Sequence, residues 1–334
     1  MNKNKVIIIA EAGVNHNGKV SIAKKLITSA KKTGADYIKF QMFRTSDHIT
    51  KKAEQAHYQI RNLKKKTNQF EMVKKLEFNE KQFKEIFNFS KKKKIKFLAS
   101  CFDINSIKFY SKFKPDFYKI PSGEITNLPL LEFLGKKNKK LLLSTGMATF
   151  KEIKSAKNIL VKNGCHPKNI TILQCTTDYP CKISDVNLSV IPKIFSFFKC
   201  KVGFSDHTTN LEIGSAAAAL GASVIEKHMT LNNSLSGPDH KASLNPKNFK
   251  TFVHNVRILE KAMGSEKKRP SENEKKNLFL VRKSIVATKK IFKGEILTKL
   301  NIGAKRPGNG ISPMKIYNFY GKKAKKNYEK DEKI

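Results

Sequence analysis

The stretch VIIIAEAGVNHNGKVSIAKKLITSAKKTGADYIKFQ, Val6 to Gln41, decides the fold. It opens with a short aliphatic run, Val6 to Ala10, and turns through Asn15-His16-Asn17-Gly18. From Val20 to Thr33, Ile22, Ala23, Leu26, Ile27 and Ala30 recur at helical spacing, and Gly34 supplies a stop. Tyr37 to Gln41 is a second short apolar run. Strand, helix and strand in that order predict two parallel strands joined by a right-handed crossover.

The same unit recurs down the chain. Further strand-like runs stand at Ile95 to Ser100, Asp116 to Ile120, Lys140 to Ser144, Ile170 to Gln174, Lys201 to Ser205 and Ser223 to Lys227. Most are separated by helix-like segments, such as Thr149 to Val161 with its stripe of Ile153, Ala156, Ile159 and Leu160. Eight such units predict an α/β protein built as a closed (β/α)₈ TIM barrel. Phe43 to Lys94 is too long for one ordinary connection and is expected to form an elaborated loop with one or two helices. A helix from about Asn248 to Ala262 would close the barrel. The charged, breaker-rich stretch from Gly264 to Lys276, with Pro270 inside it, then reads as a linker. Beyond it, Ser284 to Thr288, Glu295 to Thr298 and the turn-rich Arg306-Pro-Gly-Asn-Gly-Ile-Ser-Pro313 suggest a small, mostly β module. The expected organisation is a barrel over 1–263, a linker over 264–280 and a small domain over 281–334.

Composition agrees with an ordered protein of about two domains: the chain has 334 residues, and 39% are apolar. The 67 Lys and Arg against 27 Asp and Glu leave a formal charge of +40. Most of these cations are lysines scattered along the chain, without the arginine-rich or aromatic-basic pattern of base recognition, so no nucleic-acid function is expected. The field would instead draw in small anions. Five dispersed cysteines with no Cys-x-x-Cys pair argue against a disulfide framework or structural zinc and for reduced thiols. Without a membrane-length apolar stretch or a signal-like N-terminus, a cytoplasmic protein with no membrane partner is expected.

In a parallel barrel, functional groups stand at the carboxyl ends of the strands, and polar residues collect there. Glu11 follows the first run, Lys39 and Gln41 lie on the second, and Lys119, Ser122 and Glu124 mark the fourth. Ser144 ends the fifth; Thr176, Thr177 and Tyr179 follow the sixth; Ser205, Asp206 and His207 end the seventh; Glu226, Lys227 and His228 lie on the eighth. His207 and His228, on neighbouring strands, are placed to share one divalent ion while leaving coordination sites open. Lys39 and Lys119 can neutralise a phosphate or carboxylate if they face inward, and would be surface charges if they face out. Ser122, Ser144 and Ser205 can donate hydrogen bonds to such an anion. No Walker, dinucleotide-binding or Gly-x-Ser-x-Gly motif is present.

Several ordered motifs carry a resemblance: Ala10-Glu-Ala-Gly-Val-Asn-His-Asn-Gly18, Ile38-Lys-Phe-Gln41, Lys119-Ile-Pro-Ser-Gly-Glu-Ile-Thr-Asn127, Ser144-Thr-Gly-Met147, Gly203-Phe-Ser-Asp-His207, Glu226-Lys-His228 and Gly237-Pro-Asp-His-Lys-Ala-Ser243. Together they resemble the N-acetylneuraminate (sialic acid) synthase family, including its legionaminate and pseudaminate relatives. The tail around Lys305-Arg-Pro-Gly-Asn-Gly310 resembles that family's antifreeze-like (SAF) domain. The resemblance implies condensation of phosphoenolpyruvate with the open-chain aldehyde of an N-acylated mannose-type sugar, giving a nine-carbon 2-keto acid and phosphate. It implies that Lys39, Lys119, Ser122, Ser144 and Ser205 hold phosphoenolpyruvate. Glu11, Gln41, Tyr179 and Asp239 would orient the sugar, with Thr176 among the substrate contacts. His207 and His228 would bind Mn²⁺, Mg²⁺ or Co²⁺ as catalytic ligands, and Glu11 or Glu124 would manage the protons of the attacking water. Arg306 would reach into a partner's site in a domain-swapped homodimer. Thr177 stands where some relatives carry Asn.

Overall fold

The computed structural model describes residues 5–63 and 68–334. The chain divides into two compact units, Met1–Gly264 and Ser265–Ile334. In the first, eight strands close into a barrel: β1 (Ile7–Gly13), β2 (Tyr37–Met42), β3 (Lys96–Cys101), β4 (Tyr118–Ile120), β5 (Leu141–Ser144), β6 (Ile170–Cys175), β7 (Lys201–Asp206) and β8 (Val224–His228). Each pairs in parallel with the next, and β8 returns to β1. The strands are apolar on both faces because helices cover the outside and side chains fill the inside; Leu141, Leu142 and Leu143 are fully buried in succession. Each of the eight barrel strands predicted from sequence is present, although β1 runs past Ala10 through Glu11 to Gly13 with a register shift.

Register decides which side chains face inward, because residues paired across neighbouring parallel strands share a face. Glu11 pairs with Lys39 on one side and His228 on the other; Gln41 pairs with Ser100, which pairs with Lys119; Cys175 pairs with Ser205, which pairs with Glu226. Strand alternation then turns Gln174 and Lys227 outward, where Gln174 donates to the Val186 carbonyl and Lys227 pairs with Asp206 at 2.7 Å.

Local sequence sets the helices. Val20–Thr33 ends on Gly34 at φ 87°, a left-handed turn that glycine adopts without strain. Phe150–Lys162 starts from Thr149, whose hydroxyl accepts from the Glu152 amide while the Glu152 carboxylate accepts from the Thr149 amide. Pro246–Ala262 begins two residues before the predicted start because Asn245 caps it. The connection after β2 is more helical than predicted: among the described residues it holds Thr45–His48, His57–Leu63, Gln69–Lys74 and Glu80–Lys92. No helix among the described residues is long and apolar enough to cross a membrane. All five cysteines are free and buried.

The second unit opens with a helix, Glu272–Val281, inside the stretch read as linker; Ser271 and Glu274 cap it reciprocally. Its sheet pairs β9 (Ser284–Ala287) with β10 (Ile302–Lys305) in antiparallel register over a core including Ile285, Ile291, Leu297, Ile302 and Tyr328. The predicted strand at Glu295 to Thr298 is not formed. Ile296 makes only an isolated bridge to Lys323, and Thr298 instead starts a turn closed by Asn301. Arg306 follows β10 and is exposed.

Candidate active site

Inside the barrel mouth lies a compact charge cluster. Lys39 Nζ stands 2.9 Å from Glu11 Oε2 and 3.4 Å from Glu226 Oε1, and donates to Ser100 Oγ at 2.6 Å. Lys119 Nζ donates to both Glu226 oxygens at 3.0 and 3.1 Å. All four charged residues are at most 5% exposed, so each ion has lost its water and depends on its partners. Burial alone would depress Lys39, but Glu11 and Glu226 outweigh it and raise the ammonium pKa. Burial pushes Glu11 up to about 7 against the pull of Lys39. It also pushes Glu226 up, but there Lys119 and Lys39 together prevail and hold that carboxylate well below its ordinary range. Two inward carboxylates thus differ: Glu226 stays ionised and Glu11 exchanges a proton near neutrality.

Beside the lysines is a cradle of small donors. Ser122 Oγ accepts from the Gly146 amide at 3.0 Å and lies 3.2 Å from Cys175 Sγ. The hydroxyls of Ser144 and Thr177 are buried and unpartnered among the described residues. A Cβ on residue 146 would come within 2.1 Å of Thr177 Oγ1 and 2.9 Å of Ser122 Oγ, so only glycine lets these groups crowd around one backbone amide. Unsatisfied buried hydroxyls at the same end of the barrel as two buried ammonium groups suit an anion with several oxygens.

Ser205 links this anion pocket to the imidazoles: its hydroxyl donates to Glu226 at 3.2 Å and lies 3.4 Å from His207 Nε2. The His207 and His228 ring centroids are 5.4 Å apart and inclined 68°. His207 Nδ1 donates to the Thr176 carbonyl at 2.5 Å, which fixes the tautomer and leaves Nε2 with its lone pair. His228 Nδ1 is buried and unpartnered. Burial lowers His207 to about 4, and burial with the neighbouring His207 holds His228 well below its ordinary value, so the neutral form of both rings is favoured. Two neutral, buried, adjacent imidazoles with free lone pairs fit a divalent ion. Among the described residues no group of three or more His, Cys, Asp or Glu is arranged as a metal cage, so water and substrate oxygens would complete the coordination.

The third region is polar on one side and aromatic on the other. Measured from the Cβ position a side chain at Gly13 would take, Glu11 Oε1, Gln41 Nε2 and Asp239 Oδ2 all converge within 3.3–3.6 Å. Burial raises the Asp239 carboxyl to about 6. Facing the imidazoles, the Tyr179 ring is 4.2 Å from His207 and 5.5 Å from His228.

The structure therefore gathers Glu11, Lys39, Gln41, Lys119, Ser122, Ser144, Tyr179, Ser205, His207, His228 and Asp239 around one mouth. Two other candidates are placed differently within the barrel. The Thr176 hydroxyl turns away to the Asp185 carbonyl, and this residue serves through its own carbonyl on His207. Glu124 accepts from Asn127 at 2.5 Å and lies 3.8 Å from His48 Nδ1, a separate pairing from the lysine–glutamate cluster. Arg306 belongs to the second unit. Glu226 and Thr177, to which the sequence pattern assigned no role, also stand in this mouth. Alternation could have found Glu226, since 226 shares a face with 228, but not Thr177, which lies past the end of β6.

A family model described as NeuB family matches residues 26–268, and one described as SAF domain matches residues 282–334. The N,N'-diacetyllegionaminic acid synthase of Campylobacter jejuni is 50% identical over 330 residues, covering 99% of this chain and 99% of its own. Human N-acetylneuraminate-9-phosphate synthase is 37% identical over 335 residues, covering 98% and 92%. The solved N-acetylneuraminic acid synthetase of Leptospira borgpetersenii, in complex with citrate, superposes with a TM-score of 0.71 at 32% identity, over 82% of this chain and 90% of that one.

Proposed function

The chain belongs to the NeuB family, and from that premise we infer that it condenses phosphoenolpyruvate with an N-acylated mannose-type sugar and water to give a nine-carbon 2-keto acid and phosphate. The observation that carries this reading is the adjacency, in one barrel mouth, of a buried anion pocket and two neutral imidazoles, joined through Ser205.

In this reading Lys39, Lys119, Ser122, Ser144 and Ser205 hold phosphoenolpyruvate, with Thr177 and the Gly146 amide completing the set of donors. Glu226 lies against both lysines and holds them in place before the substrate arrives. Gln41, Asp239 and Tyr179 orient the acceptor so that its aldehyde carbon meets carbon three of phosphoenolpyruvate. A divalent ion on His207 and His228, Mn²⁺ or alternatively Mg²⁺ or Co²⁺, would supply polarisation of the aldehyde oxygen. As the carbon–carbon bond forms, the aldehyde oxygen takes up a proton and carbon two becomes cation-like. Water adds to carbon two and loses a proton, and phosphate departs with cleavage of its bond to carbon two. Glu11 contacts Lys39 and converges with the acceptor-side groups, so it is the residue placed to give and take these protons. Glu124 is the alternative for the water, although its contacts to Asn127 and His48 favour Glu11.

For the acceptor we favour a 2,4-diacetamido-2,4,6-trideoxyhexose over N-acetylmannosamine, supported by the 50% identity to a diacetyllegionaminic acid synthase. We also propose that Arg306 completes the site of a second subunit in a homodimer. Purified chain supplied with phosphoenolpyruvate, Mn²⁺ and each sugar separately should release phosphate and yield the nine-carbon acid of the diacetamido sugar by mass spectrometry. A product from N-acetylmannosamine alone would reverse the acceptor assignment, and no product from either would overturn the function.

A further inference from the structure

The helix His57–Leu63, in the connection between β2 and β3, buries only Gln59 of its seven residues. It is held instead by polar ties to the two loops that carry acceptor-side candidates. Asn62 Nδ2 donates to the Tyr179 carbonyl at 3.2 Å and to the Pro238 carbonyl, next to Asp239, at 2.7 Å. Arg61 approaches Asp178 at 3.5 Å. These ties set Tyr58 against the mouth: its ring centroid is 4.8 Å from that of Tyr179, inclined 37°, and Gln59 Nε2 donates to its hydroxyl at 3.3 Å. Outward from His207 the aromatic surface therefore continues as Tyr179 at 4.2 Å and then Tyr58 a further 4.8 Å on.

An apolar surface two rings deep is unneeded for sugar hydroxyls, which the carboxylates and amide of Glu11, Asp239 and Gln41 satisfy. It suits an apolar substituent. In an open-chain N-acylated sugar with its aldehyde at the imidazoles, the acyl methyl lies four bonds from the aldehyde carbon, which carries it beyond Tyr179. We propose that Tyr58 is a specificity-determining residue that receives the methyl of the acceptor's C2 amide. Tyr179 supports its ring, and the Asn62 ties keep the helix from swinging away. The assignment rests on the synthase reading above and adds to it the group by which the acceptor is chosen: an acyl chain carrying at least one methyl.

The test compares the acceptor that the wild-type chain uses best with its C2 amide N-acetylated or N-formylated and every other group unchanged, so that the two differ only by that methyl. Wild type should favour N-acetyl by about tenfold or more in kcat/KM, the discrimination one apolar carbon allows. Tyr58→Ala should bring the two forms within about threefold by raising KM for the N-acetyl acceptor, whereas Tyr58→Phe should keep the wild-type ratio, because the ring carries the contact. KM for phosphoenolpyruvate should stay unchanged in both variants. An unchanged ratio in Tyr58→Ala, or a parallel loss for phosphoenolpyruvate, would overturn the Tyr58 assignment alone. A wild-type chain that turns over no sugar would overturn the synthase reading and this assignment with it.

Discussion

Glu226 carries the electrostatics of the mouth, because among the described residues it is the one carboxylate hydrogen-bonded to Lys119 and it also faces Lys39. Replacing it by Gln leaves two buried ammonium groups with Glu11 alone, and breaking such a pairing costs about 3–5 kcal/mol. An anion entering the pocket would supply the missing charge. Thermal unfolding of Glu226→Gln should therefore show a lower midpoint than wild type and a larger upward shift on adding phosphoenolpyruvate; equal shifts in the two proteins would show that Glu226 does not balance the lysines. At this scale the sequence was legible where residue type and strand parity agreed. Lys39 and Lys119 have the same side chain as Lys227, yet two point into the mouth and the third is buried outside it against Asp206 and the carbonyls of Thr208 and Asn210. Only the register, through pairs such as Ser205 with Glu226, separates them. Glu226 stands out in the sequence as a polar residue on the eighth strand, but its role is not legible there, because its partners, Lys39 and Lys119, come from β2 and β4.

At the scale of elements, the barrel strands were readable because a strand buried on both faces must be a continuous apolar run, and helix caps such as Gly34 and Thr149 are chemically distinctive. The connection after β2 was not, because its short helices bury little. His57–Leu63 is set by hydrogen bonds to loops more than a hundred residues away, which no local period encodes. The same holds for the small unit. Glu295 to Thr298 has strand-like composition, but Asn301 turns the chain there by donating to the Ile296 carbonyl and accepting from the Thr298 amide. The helix at Glu272–Val281 was hidden by the preceding Pro270 and by charge, although its Ser271/Glu274 cap is written in the sequence.

At the scale of the whole molecule, the chain carries a formal charge of +40, whereas the buried lysines of the mouth are offset by Glu226 and, in its ionised form, Glu11. The excess positive charge therefore acts at long range, drawing anionic phosphoenolpyruvate toward a site that selects it by hydrogen bonds. The small unit offers Arg306 as an exposed cation. If it completes a second subunit's mouth, mixing Arg306→Ala chains with Glu11→Gln chains should restore part of the activity that each lacks, and verified mixed dimers without recovery would remove the shared site. The central claim is that the imidazole pair and the lysine pocket act on one reaction in one cavity. Its most direct measurement is phosphate release from phosphoenolpyruvate with metal and acceptor each supplied or withheld. Release only when both are present is the predicted result; release that proceeds unchanged without the divalent ion, or without the sugar, would contradict it.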